Sequence, residues 1–178
     1  MKAVLTAVIG FMCTATMVLG QTCTLTFAVQ IEAPHGTLTH ESTLTGTLTY
    51  SVERQMRMGS EAMAYFTDGE IQVSAADSTA LNGRLGVIHV VRSPHWADYI
   101  SFDITDVAGD LGGVTAYENP MLLSFYAERG SLASFDLPMT LTALDAFDRR
   151  RTFQVHTPDT MWTLPGTLLE PSLSCSSP

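Results

Sequence analysis

From Thr22 to Ile31 the chain changes face at every residue, with Cys23, Leu25, Phe27, Val29 and Ile31 on one side and Thr22, Thr24, Thr26, Ala28 and Gln30 on the other. A period of two sends successive side chains to opposite faces of an extended backbone, so this stretch predicts a half-buried strand. The pattern returns from Thr43 to Val52, where Leu44, Gly46, Leu48, Tyr50 and Val52 oppose Thr43, Thr45, Thr47, Thr49 and Ser51. Threonine suits the wet face because its β-branch fits a pleated surface. Ala33-Pro34-His35-Gly36 lies between the two stretches and has the residues of a turn, so together they predict a hairpin.

Shorter runs follow. Glu53 to Glu61 shows no alternation and predicts a loop able to hold one helical turn, then Ala62 to Phe66 predicts a strand. Thr67-Asp68-Gly69 predicts a turn into Glu70 to Ala75, and Asn82-Gly83 is the strongest tight-turn signal of the chain. Leu85 to Val91 is apolar on nearly both faces, as in a covered central strand, and Arg92-Ser93-Pro94 ends it. Tyr99 to Thr105 alternates again, and Met121 to Ala127, Met139 to Leu144, Thr152 to His156 and Thr160 to Leu164 complete the series. About ten short strands with turns between them, and no helix beyond the N-terminal leader, predict an all-β fold. The first architecture to expect is an antiparallel β-sandwich, and the alternative is a small closed β-barrel.

Lys2 is the only lysine of the 178 residues and precedes an apolar run from Ala3 to about Leu19. A positive start, a short apolar segment and small residues after it describe a signal helix, with cleavage expected between Gly20 and Gln21. Residues 1–20 are then the signal peptide and 21–178 a single domain, placed in the periplasm or outside the cell. Cys13 follows Met12 and Cys23 follows Thr22, neither of them the small residue that a lipidated cysteine requires. Losing residues 1–20 removes Lys2, Cys13 and no acid, so the formal charge moves from −9 to −10 and 158 residues remain. Cys23 and Cys175 are left at opposite ends, and in an oxidising compartment they predict one disulfide that pins the first strand beside the last.

The mature chain is acidic and lysine-free, and its eight cations are all arginines, which excludes tracking of a nucleic-acid backbone. No membrane span is expected in it, and a membrane barrel is disfavoured by strands that read as short and by the absence of a terminal aromatic residue.

Candidate chemistry is sparse. His35, His40, His89, His95 and His156 lack metal-ligand spacing, and His89, inside the most apolar run, reads as a core histidine. Asp103, Asp106 and Asp110 before Gly112-Gly113 do not have the spacing of a calcium loop and read as solvated acids. The sequence contains no nucleophile elbow, phosphate-binding loop or dinucleotide fingerprint, so no catalytic residue, metal or cofactor is assigned. Arg149, Arg150 and Arg151 lie near Asp145 and Asp148 and read as a solvated turn; their functional reading is contact with an anion or acidic glycan. Trp96, beside His95 and Tyr99, is a candidate sugar-stacking platform, whereas Trp162 reads as core.

Gly46-Thr47-Leu48-Thr49-Tyr50, the stretch from Tyr65 to Val73, and Leu132 to Phe153 with its Phe135-Asp136-Leu137-Pro138 step resemble short exported bacterial β-sandwich proteins of unknown function, many with a PEP-CTERM-type sorting tail. This chain instead ends Leu173-Ser174-Cys175-Ser176-Ser177-Pro178, without the tail's apolar helix and basic end. The resemblance implies export and a β fold and transfers no functional residue. The expected function is a non-catalytic binding or structural module that meets a glycan or another exported protein; the alternative is a small secreted hydrolase acting on glycans.

Overall fold

The computed structural model describes residues 20–158 and 160–176, over 160–163 by the backbone alone. Residues 1–19 of the expected signal peptide lie outside the described residues, as does the side chain of Trp162. Gly20 and Gln21 stand just before the first strand, where the Gly20 N–H donates to the Val52 carbonyl at 3.1 Å.

Eight antiparallel strands run up and down in chain order and close on themselves. They are β1 (Thr22–Ile31), β2 (Thr43–Met58), β3 (Ala62–Ser74), β4 (Ala80–Val91), β5 (Asp98–Asp110), β6 (Glu118–Ala127), β7 (Arg150–Thr157) and β8 (Thr160–Cys175), with one helix among the described residues, α1 (Leu141–Asp145), before β7. Of the two all-β architectures the pattern allows, the molecule adopts the barrel. β1 pairs with β2 along one edge and with β8 along the other, so the eight strands form one closed sheet and not the two of a sandwich.

Closure selects the faces. Leu25, Val29, Leu48, Val73, Leu81, Ile100 and Phe125 are fully buried on the inside. Each such side chain contributes about 1.5–3 kcal/mol relative to exposure. Tyr50, Phe102 and Phe125 cross the lumen as a chain of edge-to-face rings, each pair 5.9 Å apart at 70°. Burial pushes the Tyr50 phenol well above its ordinary pKa. The interior is therefore a packed core.

Outside, Thr24, Thr26, Thr45, Thr47 and Thr49 face water. β2 and β8 have 16 residues each, so strand length does not disfavour a membrane barrel as the sequence suggested. A lipid-facing barrel carries its apolar band outward, whereas the buried apolar residues here face inward and the threonines of β1 and β2 face water.

Several local expectations give way to closure. Asn82-Gly83 is no turn but lies inside β4, and neither residue has a positive φ. Gly83 is needed for space: a Cβ there would come within 2.5 Å of Ile104 Cγ2. Thr67-Asp68-Gly69 likewise lies within β3, where the ladder to β4 slips between Phe66 and Glu70. A Cβ on Gly69 would meet Tyr50 Cβ at 2.7 Å.

Glu53 to Glu61 is not a loop: β2 runs on to Met58 and pairs with Ala62 to Phe66. This extension is exposed on both faces, so its burial cannot alternate, and the Arg54 guanidinium lies 4.0 Å over the Phe66 ring. Met139 to Leu144 is not a strand. Thr140 caps α1 there, its hydroxyl accepting the Ala143 N–H at 3.2 Å. Leu137, Leu144 and Phe147 of this connection are buried and close one mouth of the barrel. The other mouth is closed by the β1–β2 connection, which docks on the β5–β6 turn through Thr37 N–H to Gly112 carbonyl at 2.8 Å.

The last strand extends well past Leu164, to Cys175, despite Pro165 and Pro171. Pro171 follows Glu170, whose φ of 45° belongs to the irregularity at which β8 shifts register against β1. Cys23 and Cys175 form the expected disulfide.

Candidate ligand cleft

The β4–β5 connection curls at the plugged mouth. Ser93 Oγ accepts the Trp96 N–H at 3.1 Å and the His95 N–H at 3.4 Å, which holds a tight side-chain-to-backbone turn. Arg129 Nη1 donates to the Pro94 carbonyl at 3.3 Å and ties the turn to the next connection. The result is that Trp96 is presented with 81% of its surface exposed.

Immediately after the turn, Tyr99 on β5 is the register partner of Tyr126 on β6, and Tyr126 is that of Arg150 on β7. The three side chains therefore form one row across the outer wall. The tyrosine rings are 5.7 Å apart at 40°, and burial, with smaller contributions from Tyr126 and Asp103, raises the Tyr99 pKa. Between this row and the Trp96 turn lies an open cleft of about 840 Å³, with Ser93, His95, Ala97 and Arg149 completing its lining.

The three adjacent arginines part company. Arg151 leaves the cleft, donating to the Phe147 carbonyl at 3.1 Å and to Asp145 Oδ1 at 3.2 Å. Arg149 pairs with Glu128 at 3.3 Å. Arg150 lines the cleft with no ion pair or side-chain hydrogen bond among the described residues. Of the five candidate contact residues, Trp96, Tyr99, Arg149 and Arg150 thus meet in one place and Arg151 does not. Tyr126 was not among the candidates, because only the strand register puts it beside Tyr99.

The remaining candidates fall elsewhere. His89 points outward from β4 and pairs with Asp103 Oδ2 at 3.4 Å, so it is not a core histidine. The Ser101 hydroxyl donates to Asp103 Oδ1. The carboxylate thus stands between serine and histidine, whereas nucleophilic catalysis needs the histidine in the middle. Asp110 caps its own turn through the Gly113 N–H at 2.7 Å, while Asp106 lines a separate hollow with Glu70, Gln72 and Arg84. These acids do not converge on one ion, and the described residues contain no cluster of three metal-binding side chains.

Asp98, next to the cleft, is fully buried. Its Oδ2 accepts the Leu132 N–H at 3.0 Å while Oδ1 has no partner, and Arg92 Nη2 holds the Leu132 carbonyl at 2.7 Å. No family model, curated protein or solved structure matches this chain.

Proposed function

We propose that this chain is an exported, non-catalytic binding module whose Trp96 cleft takes an acidic saccharide. The observation that carries the reading is Arg150, an unpaired guanidinium in line with two tyrosine rings and facing an exposed tryptophan. Aromatic faces stack on the apolar faces of sugar rings, and a free guanidinium recognises a carboxylate with two parallel hydrogen bonds. No lining residue of the cleft is a carboxylate, so a uronate meets no like charge there, and the acid pair of a glycosidase is not supplied.

Export is supported by the N-terminal run after Lys2 and by a disulfide suited to an oxidising compartment. Protein recovered from the exporting host should begin at Gln21, and an intact Met1 there would count against export. For the cleft, hyaluronan and neutral dextran are compared by quenching of tryptophan fluorescence and by titration calorimetry. Hyaluronan should bind and dextran should not, with W96A and R150A each reducing affinity about tenfold or more. Equal binding of both polymers, or no effect of R150A, would refute the reading.

One observation favours a glycan hydrolase as the second reading: Glu70 and Asp106 line the same hollow, over β2 to β5. Hydrolysis of a glycan panel that is lost in E70Q and D106N would establish it; inactivity across the panel would remove it.

A further inference from the structure

Next to the row Tyr99–Tyr126–Arg150, the strand register lays a second row, Ser101–Ser124–Thr152. Residues on the outer wall of a barrel ordinarily meet water, yet these three are only 9%, 5% and 6% exposed. Their neighbours are taller. The aromatic row stands on one side, and on the other the register places Asp103, Leu122 and Gln154. The three residues therefore lie low between these two rows, directly beyond the tyrosines. Ser101 is committed to Asp103, but the hydroxyls of Ser124 and Thr152 bond to nothing among the described residues and are not sealed from solvent.

Resting on the reading of the cleft as an acidic-saccharide site, we propose that a hollow over this low row is a second subsite of the same ligand. The acidic unit lies at Trp96 and Arg150, and the adjoining neutral unit crosses the tyrosine row and settles over Ser124 and Thr152. The ligand is thus an oligosaccharide read over at least two units, and not a single terminal sugar.

Three features support that occupant. Rows two residues apart on a strand are separated by about 7 Å, a span that one pyranose and its glycosidic oxygen cover. Free hydroxyls both donate and accept, as the hydroxyls of a sugar ring do, and they offer a lipid chain nothing. The far side of the hollow carries the Asp103 carboxylate, which repels a second acidic unit, while the near side carries Arg150 in a chain of net charge −9. The order along the wall is therefore acidic unit, then neutral unit.

The test is calorimetric titration of the oxidised protein with glucuronate and with the hyaluronan tetrasaccharide, in which acidic and neutral units alternate. The tetrasaccharide should bind about tenfold tighter or more, as expected when two further hydrogen bonds form. T152V combined with S124A should return the tetrasaccharide to within about threefold of glucuronate and leave glucuronate itself unchanged. S124F, which fills the hollow, should do the same, and thermal melting identifies any variant that has not folded. Equal affinity of the two ligands in the parent protein, or a preference that survives in folded variants, overturns the second subsite alone. Binding of neither ligand overturns it together with the acidic-saccharide reading.

Discussion

Cys23 and Cys175 face each other in the register of β1 and β8, so their disulfide crosses the one seam that closes the barrel. The residues are 152 positions apart, and the bond constrains nearly the whole described chain. Chain-entropy arguments assign such a loop about 4–5 kcal/mol, and removal of native disulfides typically costs about 2–5 kcal/mol. C23A/C175A should therefore unfold at distinctly lower guanidinium concentration, and reductant should lower the parent's midpoint but not the variant's. A parent midpoint indifferent to reductant would show that the seam does not depend on the bond.

The strand character of β1 and of the first half of β2 was legible because each has one wet and one dry face. The barrel was less so, because closure is a pairing between the first and last strands and no local pattern encodes it. Gly83 and Gly69 read as turn signals, yet they serve close approach to Ile104 and Tyr50, which lie far away in sequence. The exposed half of β2 has no dry face and left no period to read. Around the cleft, Trp96, Tyr99 and Arg150 were visible as residue types. Tyr126 and the Ser101–Ser124–Thr152 row emerge only from the register of β5, β6 and β7.

Phe27 and Gly46 are register partners on β1 and β2, and the phenylalanine ring occupies the place of the missing side chain. A Cβ on Gly46 would lie 2.2 Å from Phe27 Cζ, so G46A forces the ring out of a packed interior. G46A alone should destabilise by about 1–3 kcal/mol. F27L alone costs packing, but in F27L/G46A the clash is gone, so the double variant should be more stable than the two single effects predict. Strict additivity in a double-mutant cycle by chemical unfolding would contradict the pairing.

Asp98 and Arg92 grip Leu132 from both sides, one by its N–H and the other by its carbonyl. Leu132 belongs to the segment that closes the mouth beside the cleft, so this clamp joins plug to site. D98A removes the acceptor and leaves the Leu132 N–H without its partner, a cost of about 1–3 kcal/mol. Hydrogen exchange should show faster exchange at Leu132 and along the plug, with the amides of β1 and β2 still protected. Unchanged protection at Leu132 would show that the plug is held by its apolar contacts alone.

His35 at the other mouth gives a pH dependence of definite sign. Its Nε2 lies 3.2 Å from the Tyr117 hydroxyl, which itself donates to the Val114 carbonyl at 2.8 Å, so the imidazole is the donor in this contact. Burial lowers the His35 pKa below its ordinary value of 6.5. Below that ordinary value the unfolded chain takes up a proton that the folded chain resists, so the unfolded state binds more protons and stability decreases as pH is lowered. The contribution is fully present above the unfolded pKa of 6.5 and is lost as pH falls through the lower folded value. H35Q keeps a donor at this position without the titration. Across pH 8 to pH 5 it should therefore lose less unfolding free energy than the parent, and the difference should appear in exchange of the Thr37 amide, which docks the two connections. Identical pH profiles for parent and variant would remove His35 as the origin of the dependence.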